Sequence, residues 1–254
     1  MKIVTLMENT ACREYLSFEH GLSLYLETET HKILFDAGQS AAFAENAEKL
    51  GVDLQDVDFA VLSHGHYDHG GGLGCFLEIN ETAPVYVSQY AFEPHYGANG
   101  YIGLDFGLQS SDRIRYVAEE TVLAKGITLC QLKAVPMDTA GLLVEENSVK
   151  KPDDFRHEQY LLIEEKGKRI LISGCSHKGI LQIAEAFHPD ILIGGFHFMK
   201  ITEEETLKNA AEKLLTYDTV YYTGHCTGQK QYDYLKAVMG DKLHYIAAGT
   251  VLEL

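Results

Sequence analysis

The sequence predicts an α/β fold in which two sheets pack face to face and helices cover their outer surfaces. Three observations lead there. Short β-prone runs fall into two clusters, one in each half of the chain, and helical periods follow each cluster. Residues 58–64 and 190–197 each run from an aspartate through an apolar strand to a histidine turn, a faint internal symmetry too short to establish a repeat. No linker rich in Pro, Gly or Ser divides the 254 residues, so residues 1–254 read as a single domain.

The elements follow in order. Strands are expected at 3–7, 22–27, 32–36, 59–63 and 85–88, where apolar and β-branched residues cluster. Residues 40–50 carry Phe43, Ala47 and Leu50 at helical spacing. The stretch 91–157 is long and reads as irregular. Beyond it, 158–164 and 169–173 form an expected hairpin around Lys166-Gly167-Lys168, followed by a helix at 178–187 and a strand at 190–193. Residues 202–215 open with Thr202-x-x-Glu205, a capping box, and repeat Leu207, Ala210, Ala211 and Leu214 on one face. A strand at 219–222, a helix at 228–239 and strands within 243–254 complete the chain.

The most informative segment is Ser63-His64-Gly65-His66-Tyr67-Asp68-His69-Gly70, which packs three histidines and one aspartate into six positions. Imidazole and carboxylate are the usual ligands of Zn²⁺ and similar ions. A bland alternative is a solvated histidine-rich loop. Context argues otherwise, because the apolar run Asp58-Phe59-Ala60-Val61-Leu62 precedes the segment and Gly70, Gly71 and Gly72 follow it. Strand, ligand turn and glycine loop together suit a metal site at the carboxyl end of a buried sheet. His64 and His66 project to one side of an extended turn, and Asp68 and His69 lie past the bend. Two pairs of ligands suggest two ions.

This H-x-H-x-D-H motif after a strand resembles the signature of the metallo-β-lactamase superfamily. The resemblance spans most of the chain, since Phe35-Asp36-Ala37-Gly38 is similar to that family's early Asp-x-Gly turn and Tyr222-Thr223-Gly224-His225-Cys226-Thr227-Gly228 to its last ligand turn. It implies an αββα sandwich of two mixed sheets. It also implies His64 and His66 on one metal and Asp68, His69 and His225 on the other. Glu19-His20-Gly21, Asp154-Phe155-Arg156-His157-Glu158-Gln159, Gly174-Cys175-Ser176-His177, Gly194-Gly195-Phe196-His197 and Gly224-His225-Cys226 together resemble the dihydropterin–ribofuranosylaminobenzene phosphate synthase-like branch, whose name carries the substrate only weakly.

The chain departs from the commoner hydrolases at two points. Where they carry a Gly-His turn, it reads Val135-Pro136-Met137-Asp138-Thr139. Where they carry a bridging aspartate, it has Cys175, with His177 two residues on. His177 is the favoured replacement for the missing imidazole. Cys175 is a candidate thiolate ligand, or else a small buried hydrophobe.

The middle segment, about 90–157, is a candidate substrate flap. Tyr90, Phe92, Tyr96, Tyr101 and Phe106 crowd it, and Tyr96 and Tyr101 are candidates to stack on a flat substrate; an aromatic subcore is the equal alternative. His157 and Phe196 are candidate substrate contacts. His197, at a strand's carboxyl end, is expected to face the cleft as a catalytic acid or oxyanion donor. His20, His31, His188 and His244 lack such settings and read as ordinary histidines.

Composition narrows the functions. A net charge of −16 and the lack of a long Lys/Arg cluster argue against nucleic acid as a partner. No run approaches the roughly 20 apolar residues of a membrane span. Met1-Lys2-Ile3-Val4 enters a strand directly, without a signal-like apolar run, and the five scattered cysteines read as reduced thiols, so a cytoplasmic location is expected. The diiron oxygen- and nitric-oxide-reducing branch is unlike this chain, because it places glutamate where His66 stands and adds a flavin domain.

The expected activity is therefore metal-dependent hydrolysis or transfer on a small, phosphorylated or pterin-like substrate. Two divalent ions, Zn or else Fe or Mn, would activate water or stabilise a phosphate-type leaving group, with Asp68 also catalytic; a divalent ion lowers the pKa of bound water to about 7. The alternative is a metal-containing protein that binds or senses a ligand without turning it over.

Overall fold

The computed structural model describes residues 1–136 and 141–254. From the amino terminus come β1 (Lys2–Met7), β2 (Ser23–Glu27), β3 (Lys32–Phe35), α1 (Ala42–Lys49), β4 (Phe59–Val61), the short helices α2 (Tyr67–Gly70) and α3 (Leu73–Ile79), and β5 (Val85–Ser88). The middle holds β6 (His95–Gly97), β7 (Gly100–Tyr101), β8 (Ile114–Val117), β9 (Thr121–Ala124), β10 (Ile127–Cys130), β11 (Leu143–Glu146) and β12 (Val149–Pro152). Then follow β13 (Tyr160–Glu165), β14 (Lys168–Ile172), α4 (Ile180–Phe187), β15 (Ile191–Ile193), α5 (Glu204–Leu214), β16 (Val220–Thr223), α6 (Gln229–Met239), β17 (Leu243–Tyr245) and β18 (Val251–Glu253).

Two seven-stranded mixed sheets result, ordered β18-β1-β2-β3-β4-β5-β8 and β17-β16-β15-β14-β13-β10-β9. In the first, β1 to β3 are antiparallel and β3, β4, β5 and β8 run parallel. In the second, β9, β10, β13 and β14 are antiparallel and β14 to β17 run parallel. The halves thus share a topology: α1 crosses from β3 to its parallel neighbour β4, and α4 crosses from β14 to β15. A histidine turn follows each receiving strand, which gives the shared pattern of 58–64 and 190–197 a structural basis.

Strand alternation builds the layers. Leu24 and Leu26 of β2 join Ile33, Phe35 and Val61 in a cluster with Leu129, Leu161, Ile163, Ile170, Ile172 and Ile193 of the other sheet. Tyr25 and Leu34 point the opposite way, into a cluster with Phe43 and Ala47 of α1 and Phe76 of α3. On the far side, Leu171, Leu192 and Tyr221 pack with α4, α5 and α6 through Ile183, Leu207, Leu214 and Leu235. Period-2 exposure on strands and period-3.6 exposure on helices yield helix, sheet, sheet, helix.

Three expectations change. The stretch 91–157 is not irregular: β8 extends the first sheet, β9 and β10 extend the second, and β12-β11-β6-β7 form a small four-stranded sheet of their own. The glycine loop after the histidine motif is short, because Gly70 closes α2 and Gly71 and Gly72 form the turn into α3. The capping box of α5 does not form, because Glu203 is the N-cap without a side-chain cap and Thr202 Oγ1 donates instead to Glu203 Oε1 at 3.2 Å. The departure noted at Met137-Asp138-Thr139 lies outside the described residues.

Candidate metal centre

The motif leaves β4 at Val61 and crosses the carboxyl ends of the parallel strands. His64, His66 and His69 are buried, as is Asp68. The carboxyl end of β14 brings Cys175 and His177, that of β15 brings His197, and that of β16 brings His225. One ligand atom from each of His64, His66 and His177 falls within a 4.8 Å group. Within it His177 Nε2 stands 3.3 Å from His64 Nε2. Beside it His225 Nε2 lies 3.2 Å from His69 Nε2 and 3.3 Å from Asp68 Oδ2. Cys175 Sγ is 3.1 Å from His69 Nε2, between the two sets.

Hydrogen bonds on the outward ring atoms fix which nitrogen faces inward. Asp36, leaving β3 with a left-handed backbone (φ 58°), accepts from Ser63 N and Ser63 Oγ at 2.7 Å each and from His69 Nδ1 at 2.6 Å. Ser63 Oγ in turn meets His64 Nδ1 at 2.8 Å. With its hydrogen committed to Asp36, that oxygen accepts from His64 Nδ1–H. Asn9 Oδ1 accepts from His225 Nδ1 at 2.8 Å. His64, His69 and His225 therefore each turn an Nε2 lone pair inward when neutral. With both rings neutral, the His69 and His225 lone pairs face one another at 3.2 Å and repel unless a cation stands between them, so this donor set fits metal ions.

Charge follows the same geometry. Burial, reinforced by neighbouring histidines, pushes His64 and His177 well below the usual imidazole range, and burial with His157 beside it does the same to His66. Burial works against charge on His69 too, but Asp36 and Asp68 outweigh it and raise that ring to about 9. Burial and the adjacent Cys226 push the Cys175 thiol well up. Burial opposes the Asp68 charge, yet His69, His20 and His225 hold its carboxyl well below the usual range.

Residues 16–225 match the family described as "Metallo-beta-lactamase superfamily". The chain belongs to the metallo-β-lactamase superfamily. It is 30% identical over 242 residues to the uncharacterized protein MJ0448 of Methanocaldococcus jannaschii, covering 90% of this chain and 91% of that one. It is 28% identical over 287 residues to the 7,8-dihydropterin-6-methyl-4-(beta-D-ribofuranosyl)-aminobenzene-5'-phosphate synthase of the same organism, covering 100% and 96%. The solved structure of Tm1679, titled a metal-dependent hydrolase of the β-lactamase superfamily, superposes with a TM-score of 0.86 at 30% identity, covering 100% and 99%. The metal-dependent hydrolase fold of the superfamily is thus the fold of this chain.

The expected substrate contacts fare differently. Phe196 is 1% exposed and packs edge-on against Phe198 and Tyr221, within the core cluster of the second sheet and its helices. His157 is fully buried, with Nδ1 accepting from Gly65 N at 2.8 Å. Tyr96 and Tyr101 pack edge to face on β6 and β7, centroids 5.7 Å apart, with Tyr101 exposed. His197 has a left-handed backbone (φ 58°) and its ring centroid is 4.3 Å from that of His177.

Sequence reasoning missed several residues. His20, read as ordinary, has Nε2 3.2 Å from Asp68 Oδ2 and its ring 4.7 Å from that of His225. Cys226 is buried beside Cys175, its Sγ 3.5 Å from the Cys175 carbonyl oxygen. Phe155 stacks on His177 at 4.3 Å and 11°. Glu158 accepts from His177 N at 2.6 Å. His20, Phe155, Glu158 and Cys226 all lie within the motifs that carry the family resemblance, but nothing in their local spacing pointed to these contacts.

Proposed function

We propose that the chain is a two-metal hydrolase or transferase acting on a small phosphorylated or pterin-like molecule. His64, His66 and His177 would hold one divalent ion, and Asp68, His69 and His225 the other, with Cys175 as a thiolate between them. Zinc suits these donors, and iron or manganese binds the same types. The observation that carries the reading is the convergence of buried donors: His177 Nε2 meets His64 Nε2 at 3.3 Å, His225 Nε2 meets His69 Nε2 at 3.2 Å, and Asp68 and Cys175 stand beside them.

Bound there, the ions would supply Lewis acidity toward water and toward an ester, lactone or phosphoester oxygen. The chain's own groups do the rest. Asp36 and Asn9 keep His64, His69 and His225 in one tautomer. Asp68, bonded by His20, would orient the attacking water. His197, whose ring centroid is 4.3 Å from that of His177, would give a proton to the leaving group. The synthase among the relatives supports a pterin-like or phosphorylated substrate. Tyr96 and Tyr101, on the small sheet within the 90–157 segment, are the faces on which a flat ring would stack. A cleft of about 330 Å³ opens beyond Phe155, lined by Lys133, Arg156 and Lys178 together with Glu119 and Glu158.

Elemental analysis of protein prepared without chelator or affinity metal tests this. We expect two equivalents per chain, one lost in His64→Ala and one in His225→Ala. We also expect turnover in a screen of phosphoesters, lactones and pterin phosphates that His64→Ala abolishes. One equivalent or fewer that added zinc cannot raise would overturn the two-metal reading.

A further inference from the structure

Beside His66 lies a second polar cluster that the proposed site does not use. His95 opens β6, Asp153 follows β12, and His157 sits in the loop before β13. All three are buried. One ring nitrogen from each of His66, His95 and His157 lies with a carboxylate oxygen of Asp153 inside a 4.8 Å group. Nε2 of all three rings is buried and makes no hydrogen bond among the described residues. Buried polar atoms are nearly always satisfied, so three together call for an explanation.

Hydrogen-bond direction assigns the protons. A carboxylate only accepts, so His95 Nδ1 donates to Asp153 Oδ2 at 2.8 Å, and neutral His95 keeps its lone pair on Nε2. Gly65 N–H donates to His157 Nδ1 at 2.8 Å, so His157 carries its proton on Nε2, 3.4 Å from Asp153 Oδ2. Asp153 Oδ1 accepts from Phe155 N at 2.7 Å. The ring left to assign is His66, and the free acceptor in its group is His95 Nε2.

We propose that Asp153 and His95 act as positioning residues that hold His66 in its Nε2–H tautomer through one bridging water, and so leave Nδ1 as the atom His66 offers to the first metal. The same logic disfavours a third metal in this cluster, since His157 would have to surrender its Gly65 bond to present a lone pair at Nε2. The consequence for metal binding rests on the two-metal reading above; the tautomer is a property of the metal-free chain.

Long-range ¹H–¹⁵N spectra of chelator-treated protein read each ring's tautomer directly. Wild type is expected to show His66 protonated on Nε2. In Asp153→Asn the Phe155 amide keeps the remaining oxygen, so the new NH₂ faces His95. His95 then accepts at Nδ1 and carries its proton on Nε2, and His66 moves to the Nδ1–H form. By chelator competition, the first zinc equivalent is expected to weaken roughly 10- to 100-fold. His95→Phe fills the ring's volume without an acceptor and is expected to lose the preference, and His95→Gln, whose Oε1 accepts, to restore it; this pair stands if Asp153→Asn fails to fold. A His66 ring that stays on Nε2–H in His95→Phe, or a third metal equivalent lost with His95, would overturn the proposal. The predicted tautomers in a chain that binds no zinc would sink the two-metal reading and leave this one standing.

Discussion

Gly174 approaches Ser63 so closely that a Cβ there would lie 2.2 Å from the Ser63 hydroxyl oxygen and 3.1 Å from His64 Nδ1. No side chain fits without moving Ser63, and Ser63 is the link between Asp36 and His64. Gly174→Ala is therefore expected to destabilise the fold by about 1–3 kcal/mol, the usual cost of overpacking, and to weaken one metal equivalent while sparing the other. Urea unfolding and zinc competition read the two effects separately; equal loss of both equivalents would mean that the change acts through the whole fold. At this scale the sequence reveals ligands better than their supports. His64, His66, Asp68 and His69 were legible because four ligand-type residues sit within six positions. His20, His95 and Asp153 were not, because each reaches the site through a long-range contact that leaves no local spacing.

Elements were legible where one face is buried in a regular period. β1, β2, β3, β5, β14, β15 and α6 fall within one residue of their expected bounds, since alternation or helical spacing of apolar residues is what buries them. The middle stretch misled for a physical reason. β8 has exposed residues at its centre and β9 is only half-buried, so neither shows the continuous apolar run of a central strand. The start of α5 misled for another. Thr202 and Glu205 have capping-box spacing, but the helix begins one residue later and Thr202 Oγ1 bonds Glu203 instead. Thr202→Ala is accordingly expected to change stability by no more than about 0.5 kcal/mol, as for ordinary surface sites, whereas loss of a working N-cap would cost about 1 kcal/mol. A thermal shift of several degrees in that variant would show that the box forms in solution.

Over the whole molecule, the site couples folding to pH and to metal. In metal-free protein, burial holds His64, His66 and His177 neutral with pKa values well below 6.5, whereas the unfolded chain protonates them near 6.5. Below that pH the unfolded state binds more protons, so stability falls as pH falls. His69 has the opposite sign. Its folded pKa is raised to about 9 by Asp36 and Asp68, so its contribution is full below about 6.5 and is lost as pH rises through 9. Chelator-treated protein is thus expected to be most stable near neutral pH, with a steep acid limb and a shallower alkaline one. A metal on His69 displaces its proton, and binding to the folded state alone adds stability by mass action. Zinc should therefore raise the urea midpoint, remove the decline from pH 7 to 9, and steepen the acid limb, where protons compete for the same nitrogens. Urea midpoints from pH 5 to 9, with chelator and with zinc, make the comparison. An alkaline limb that persists unchanged in zinc would mean that His69 keeps its proton and binds no metal.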